Sequence, residues 1–292
     1  MFDTVDDTAA SLYIVLLDWS KAFDRIKHDA LLVALRRFGI GGAMLDLIGA
    51  IYEERTFLVR DGLSESTTLV QEAGIAQGCP LSPYLFIILM SVALVDARRI
   101  SQLEEAKSFI VTPEVVYADD TMLLSSSAAC AQRHLDSVAA VGRTYGLELN
   151  LQKTVLLRIR GSEDIFGPDG QALTVKSQAV YLGGLLTTDG QSAPELSRRL
   201  GEARASFYSL AAVWKHANIT RKRKQRIFEA CVVSKLLYGL ESLWLLKADF
   251  QKLDAFFASS LRKIAGILPS YWSRVSNFSV LQMMGLRHYL AL

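Results

Sequence analysis

SLYIVLLDWSKAFD, residues 11–24, is the stretch on which the fold turns. Leu12 to Leu17 is an unbroken apolar run rich in β-branched and aromatic residues, which predicts a central strand buried on both faces. The run stops at Asp18, so a carboxylate stands at the end of a buried strand. Further along, VVYADDTMLL (115–124) sets two strand-like runs, Val115 to Tyr117 and Thr121 to Leu124, around Ala118-Asp119-Asp120. This pattern predicts a hairpin with both acids at or beside its turn.

Working outward, apolar residues at helical spacing predict a helix over Ala30 to Phe38, with Asp29 as N-cap and Gly39 as stop, and a second over Ala43 to Tyr52. Thr56 to Arg60 and Ser66 to Glu72 read as a hairpin turning at Asp61-Gly62. The loop AGIAQGCPLSP (73–83) leads into a helix from about Tyr84 to Ile100, and its Gly78 suits close approach of backbone to a ligand. Another helix is expected to end at about Tyr145, closed by Gly146. Strand-like runs at Leu147 to Leu151 and Val155 to Ile159 bracket Lys153, and a turn at Pro168-Asp169-Gly170 precedes a strand over Ala179 to Leu186. After Thr188-Asp189-Gly190 only helices are predicted: Pro194 to Trp214, Arg221 to Tyr238 behind the N-cap Thr220, and Asp249 to Ala265. The order of elements gives an α+β fold, an antiparallel sheet with helices on one face, followed by an all-helical unit, with the boundary between residues 186 and 187.

Composition narrows the function classes. With 51% apolar and 21% charged residues and no repeats, the 292-residue chain has the makings of a packed core. A net charge of +2 does not announce a nucleic-acid partner, yet basic residues crowd into 198–226, where Glu202 is the sole acid. Cys79, Cys130 and Cys231 lack ligand spacing, which argues against zinc and disulfides and for a reducing compartment, cytoplasmic or nuclear. The run Tyr84 to Val95 is too short to span a membrane, and MFDTVDD at the start has acids where a secretory signal carries positive charge. Neither secretion nor membrane association is expected.

Packing Asp18 beside Asp119 and Asp120 brings three carboxylates together, and such a cluster needs cations. Two carboxylates about 4 Å apart repel by roughly 4 kcal/mol at an effective dielectric of 20, a term that a bound divalent ion reverses. Hard oxygen donors without His or Cys favour two Mg2+ ions, or Mn2+, over zinc. Paired ions of that kind serve nucleotidyl transfer to a primer 3′ hydroxyl.

LDWSKAFD (17–24), AQGCPLSPYLF (76–86), YADDTMLL (117–124), LNLQKT (149–154) and YLGG (181–184) together resemble the successive motifs of reverse transcriptases, most closely of the non-LTR retrotransposon branch. The resemblance covers about residues 12–190. It implies an RNA-directed DNA polymerase, with a palm over residues 1–186 that includes a partial fingers insertion at about 40–75, and a helical thumb over 187–292. In that family's terms Asp18 and Asp119 are the principal metal ligands, Asp120 is a further acid, and the carbonyl of Trp19 completes one ion's shell. Phe23 lies under the incoming sugar and excludes a 2′ hydroxyl. Gln77 and Gly78 lie against the nascent base pair, and Lys153 neutralises the departing pyrophosphate. Tyr181, Gly183 and Gly184 grip the primer. Arg221, Lys222, Arg223 and Lys224 of the thumb contact the primer–template backbone. The implied partners are an RNA template, a DNA primer and deoxynucleoside triphosphates, and the chain is expected to be part of a larger retroelement polyprotein.

Other readings attach to the same residues. Asp24 suits a capping or salt-bridge role, and His28, His134, His216 and His288 are isolated enough to be packing or surface residues. A duplex-binding remnant without turnover and a magnesium phosphohydrolase using Asp18 as nucleophile are the alternative functions.

Overall fold

The computed structural model describes residues 11–101 and 113–284. The opening MFDTVDD and His288 lie outside the described residues. The chain divides into two units, Met1–Leu182 with Thr187–Asp189, and Gly183–Leu186 with Gly190–Leu292.

The first unit is built on a five-stranded sheet of β1 (Leu12–Leu17), β2 (Glu114–Tyr117), β3 (Asp120–Ser125), β4 (Val155–Ile159) and β5 (Thr174–Lys176), in the order β2-β3-β1-β4-β5. All six residues of β1 are buried, as an apolar run without alternation requires of a central strand. β1 pairs antiparallel with β3 (Leu17 opposite Thr121) and with β4 (Val15 opposite Leu156). The edge strand β5 adds a parallel pairing, Leu156 opposite Val175, that the antiparallel expectation did not include. Tyr13, Val15 and Leu17 share one core with helices α1 (His28–Phe38), α2 (Gly42–Tyr52), α3 (Ser82–Ser101) and α4 (Ala128–Thr144). Leu31, Leu35, Phe86, Leu89 and Leu135 at its centre are fully buried, and truncating such a leucine to alanine costs about 2–5 kcal/mol.

Four details differ locally from expectation, the first being that Leu147 to Leu151 forms only an isolated bridge from Leu149 to Trp19 in place of a strand. α1 begins at His28, so Asp29 lies in its first turn instead of capping it, although Gly39 does stop the helix at φ 107°. The ribbon after α2 consists of two short pairs, and Arg60 opposite Glu65 with Asp61 opposite Ser64 puts the turn at Gly62-Leu63. Gly62 supplies the positive φ of 59° there. The strand expected over Ala179 to Leu186 is broken into Gln178–Tyr181 and Gly184–Thr187, because Leu182 and Gly183 both adopt left-handed backbone at φ 49° and 75°.

The second unit packs α5 (Ala193–Ser209), α6 (Arg221–Phe228), α7 (Lys247–Ala265) and α8 (Asn277–Met283) with shorter helical segments around Phe207, Trp214, Phe228 and Phe257. Leu210 interrupts the helix expected over Pro194 to Trp214, and Ala211–Lys215 restarts it. Thr220 caps α6 as expected, accepting from the Arg223 amide at 3.3 Å. Directly after α6 the chain widens into a π-helical turn, Glu229–Val233, before Ser234–Leu237. Among the described residues, no helix is long and apolar enough to cross a membrane.

Candidate functional site

The register of β1, β2 and β3 builds the acidic end of the sheet. Tyr117 pairs with Asp120 across β2 and β3, leaving Ala118 and Asp119 as the turn, with Ala118 in left-handed backbone at φ 54°. Asp120 is thus the first residue of β3. Because Leu17 faces Thr121, the residue after Leu17 comes level with the one before Thr121, so Asp18 and Asp120 end adjacent strands. The electrostatics agree with this placement. Asp120 is exposed as a residue, yet partial desolvation of its carboxyl, followed by the charges of Asp119 and Asp18, pushes its pKa above the usual carboxylate range.

Asp18 is fixed from behind. Its carbonyl accepts from the Asn150 amide at 2.7 Å, and Lys153 sits in the turn closed by Asn150, with its own amide on the Asn150 carbonyl at 3.1 Å. That turn brings Lys153 Nζ to 3.9 Å from Asp18 Oδ2. Trp19 is buried, and its indole Nε1 donates to Thr121 Oγ1 at 3.2 Å, tying the residue after Asp18 to the residue after Asp120. A methyl group at Gly142 would stand 2.9 Å from the Trp19 ring, so only glycine leaves the indole its space.

Phe23 is half-buried, with its ring stacked on the fully buried Phe86 at a centroid distance of 4.6 Å and an interplanar angle of 9°. The Ile75 amide donates to the Phe23 carbonyl at 2.7 Å. Next to it Gly74, at φ 90°, lies so close to Asp24 that an added Cβ would be 2.7 Å from the Asp24 carbonyl oxygen. Gln77 is exposed and its Nε2 donates to Asp24 Oδ1 at 3.0 Å, while Gly78 is open around its Cα at φ 85°. Asp24 therefore has a definite partner, the side chain that leads the AQG segment.

Tyr181 reaches the acidic turn from a distant part of the same unit. Its hydroxyl donates to the carbonyl of Val115 at 2.9 Å and approaches that of Asp120 at 3.3 Å. Burial, and then the Asp120 charge, raise its phenol to about 12, so it remains a donor throughout the neutral range. Gly183 and Gly184 belong to the second unit. There the Gly183 carbonyl accepts from Arg198 Nη2 at 2.6 Å and from Arg199, and both arginines are held by the buried Glu195. A side chain at Gly183 would meet the Tyr238 ring at 3.2 Å.

Of the four basic residues at the start of α6, Arg221, Lys222 and Arg223 are exposed. Lys224 departs from expectation: it is 8% exposed, and its Nζ donates to the Trp214 carbonyl at 2.6 Å, which ties the helix to the segment before it. The histidines fill packing roles, with His28 Nε2 on the Gly74 carbonyl at 2.7 Å and His216 Nδ1 accepting from the Asn218 amide at 3.3 Å.

The donor chemistry at the acidic end suits a hard divalent cation. Among the described residues, however, no three His, Cys, Asp or Glu side chains converge closely enough to hold a metal ion. The charges of Asp119 and Asp18 nevertheless reach the Asp120 carboxyl. Residues that sequence reasoning did not single out include Thr121, Asn150 and Phe86, each of which lies inside one of the quoted strings, YADDTMLL, LNLQKT and AQGCPLSPYLF.

Comparison with known proteins places the arrangement in context. The chain is 26% identical over 264 residues to a probable RNA-directed DNA polymerase from transposon BS of Drosophila melanogaster, covering 86% of this chain and 28% of that protein. It is 28% identical over 268 residues to a Pol polyprotein of the R2 element of Popillia japonica, covering 86% and 42%. It therefore spans well under half the length of these relatives. Among solved structures, telomerase from Candida albicans aligns with a TM-score of 0.48 at 13% identity, covering 97% of this chain and 48% of that one. Residues 2–186 match the family model described as reverse transcriptase (RNA-dependent DNA polymerase), and the chain belongs to that family.

Proposed function

We propose that the chain is the palm and thumb of an RNA-directed DNA polymerase from a non-LTR retroelement, extending a DNA primer on an RNA template. The palm takes in residues 1–186 with a partial fingers insertion at about 40–75, and the thumb 187–292. The observation that carries this reading is the register that ends two adjacent strands in Asp18 and Asp120, with Asp119 in the intervening turn.

In this reading Asp18, Asp119 and Asp120, with the Trp19 carbonyl, would hold two Mg2+ ions, which would supply activation of the primer 3′ hydroxyl and charge stabilisation on the triphosphate. The protein's own residues orient the reactants. Lys153, already 3.9 Å from Asp18, places an ammonium where pyrophosphate departs. Phe23, backed by Phe86, presents a rigid ring to the incoming sugar and discriminates against a 2′ hydroxyl. Gln77, oriented by Asp24, and Gly78, with open space at its Cα, line the nascent base pair. Tyr181 steadies the acidic turn through its hydroxyl. Arg221, Lys222 and Arg223, with the turn at Gly183 and Gly184, hold the duplex through its phosphates. Deoxynucleoside triphosphates are the co-substrates, and the chain works inside the cell as part of a longer polyprotein.

Extension of a labelled DNA primer annealed to an RNA template, in the presence of Mg2+, tests the reading. Incorporation by the wild-type chain and none by Asp119→Asn is the expected result. Tight duplex binding without incorporation by the wild type would instead identify a non-catalytic binding protein.

A further inference from the structure

The second unit buries the aromatic side chains Phe207, Trp214, Phe228, Phe256 and Phe257. Phe207 stacks on Trp214, and Phe228 meets Phe207, Trp214 and Phe257 edge-on in its core. Tyr271 and Trp272, on the short helix Ser270–Ser273, are left out: each is 72% exposed. Their rings stand perpendicular, 5.2 Å apart at the centroids.

These rings do not hang on a loose loop. Arg262 of α7 is 6% exposed and reaches under the segment, donating to the carbonyl of Leu268 at 3.1 Å, the carbonyl of Val275 at 2.6 Å and Asn277 Oδ1 at 2.8 and 3.0 Å. A single buried guanidinium thus fastens both ends of 268–277 to the helix bundle. Arg274 follows in left-handed backbone at φ 57°, with its guanidinium carbon 6.0 Å from the centre of the Tyr271 ring.

The sequence that carries the pair has charge of one sign, and of its cations Arg274 is the one that lies over the Tyr271 ring. From residue 255 to residue 292 the sequence contains no Asp or Glu, while Arg262, Lys263, Arg274 and Arg287 fall within it. The sequence neighbours Ser270, Ser273, Ser276 and Asn277 are polar, while Leu268 and Phe278 add exposed apolar surface at the two ends of the segment. Flat exposed rings, a guanidinium beside them and no acid for many residues suit a partner with π faces and negative charge.

We propose that Tyr271, Trp272 and Arg274 form a stacking platform for single-stranded nucleic acid, with the rings taking unpaired bases and Arg274 a phosphate. This goes beyond the polymerase reading. None of the three residues lines the groove between Arg221, Lys222 and Arg226 of α6 and Met283-Met284. The platform is thus a second nucleic-acid contact on the same unit, made to strands without a duplex partner.

Fluorescence anisotropy with a short labelled oligouridine, and separately with an RNA–DNA duplex, tests it on the full chain. Base–aromatic stacking is sequence-tolerant, so Tyr271→Ala and Trp272→Ala should each weaken single-strand binding about tenfold while Trp272→Phe retains most of it. Duplex affinity and melting temperature should stay at wild-type values, because the rings are exposed. Unchanged single-strand affinity in the double alanine variant would overturn the proposal, as would a parallel loss of single-strand and duplex binding. Loss of self-association in place of RNA binding would also overturn it, by assigning the rings to a protein contact. The outcome is separable from polymerase activity: Asp119→Asn should abolish extension and leave oligouridine binding intact.

Discussion

The two ends of the β2–β3 hairpin treat carboxylates in opposite ways. At its base Glu114 is buried, with a side chain 3% exposed, and Arg98 Nε lies 3.0 Å from its Oε1. His134 Nε2 is 2.9 Å from the same oxygen, though out of line for a hydrogen bond, so that contact is one of proximity. At the tip Asp119 and Asp120 are exposed and have no ion-pair partner among the described residues, and partial desolvation, then the charges of Asp119 and Asp18, raise the cost of ionising Asp120. One strand pair thus carries a compensated carboxylate, Glu114, and an unpaired couple, Asp119 and Asp120, beside Asp18, which has Lys153 at 3.9 Å. Charge left uncompensated where three strand ends meet is what a cation-dependent site requires, whereas charge compensated inside a core is structural.

Substitutions should separate the two ends. The largest effect is expected at the tip: Asp18→Asn or Asp119→Asn should lower single-turnover primer extension by at least about 10²- to 10³-fold, with melting temperature unchanged or raised. At the base, Glu114→Ala should cost about 1–2 kcal/mol of stability in urea unfolding, since it removes the buried partner of the partly exposed Arg98, and should affect extension only through folding. Phe23→Ala keeps the acidic tip intact and should loosen discrimination against ribonucleotides by about tenfold, measured as the ratio of kcat/KM for the two substrates. Tyr181→Phe removes the hydroxyl on the Val115 and Asp120 carbonyls, and should cost about 1 kcal/mol and a few-fold in kcat while leaving duplex affinity alone.

The smallest effect is on stability against pH. Because Asp120's pKa is raised in the folded chain, the native state holds that proton more tightly than the unfolded one. Its destabilising contribution therefore appears as pH rises from the ordinary carboxylate value through the raised one, and is complete above it. Asp120→Asn should accordingly raise the melting temperature slightly at neutral pH, a gain that disappears in acid. Mg2+ should stabilise the wild type at neutral pH more than it stabilises this variant.

How much of this was legible depended on whether local chemistry or distant partners set the position. Leu12 to Leu17 was readable as a strand because its residues are buried whichever way they point, and Asp18 followed from where the run ends. Gly39, Gly146 and Thr220 were readable because a left-handed cap or a capping hydroxyl is a local requirement. The turn at Gly62-Leu63, one residue beyond the expected pair, was set by cross-strand pairing, and so was the turn of the acidic hairpin, where an alanine adopts φ 54° without any glycine to signal it. Lys224 reads as one more cation in RKRK, and only the helix phase set by Phe228 and the Trp214 carbonyl turns it inward. The contacts of Tyr181 with the acidic turn and of Gln77 with Asp24 join residues far apart in sequence, and nothing local encodes them.

The central claim is that the acidic tip binds paired divalent cations, and Mn2+ titration followed by electron paramagnetic resonance, with primer–template and nucleotide present, tests it most directly. The account predicts two bound ions in the wild type and loss of both in the combined Asp18→Asn, Asp119→Asn variant. Equal Mn2+ binding by the two proteins would contradict it.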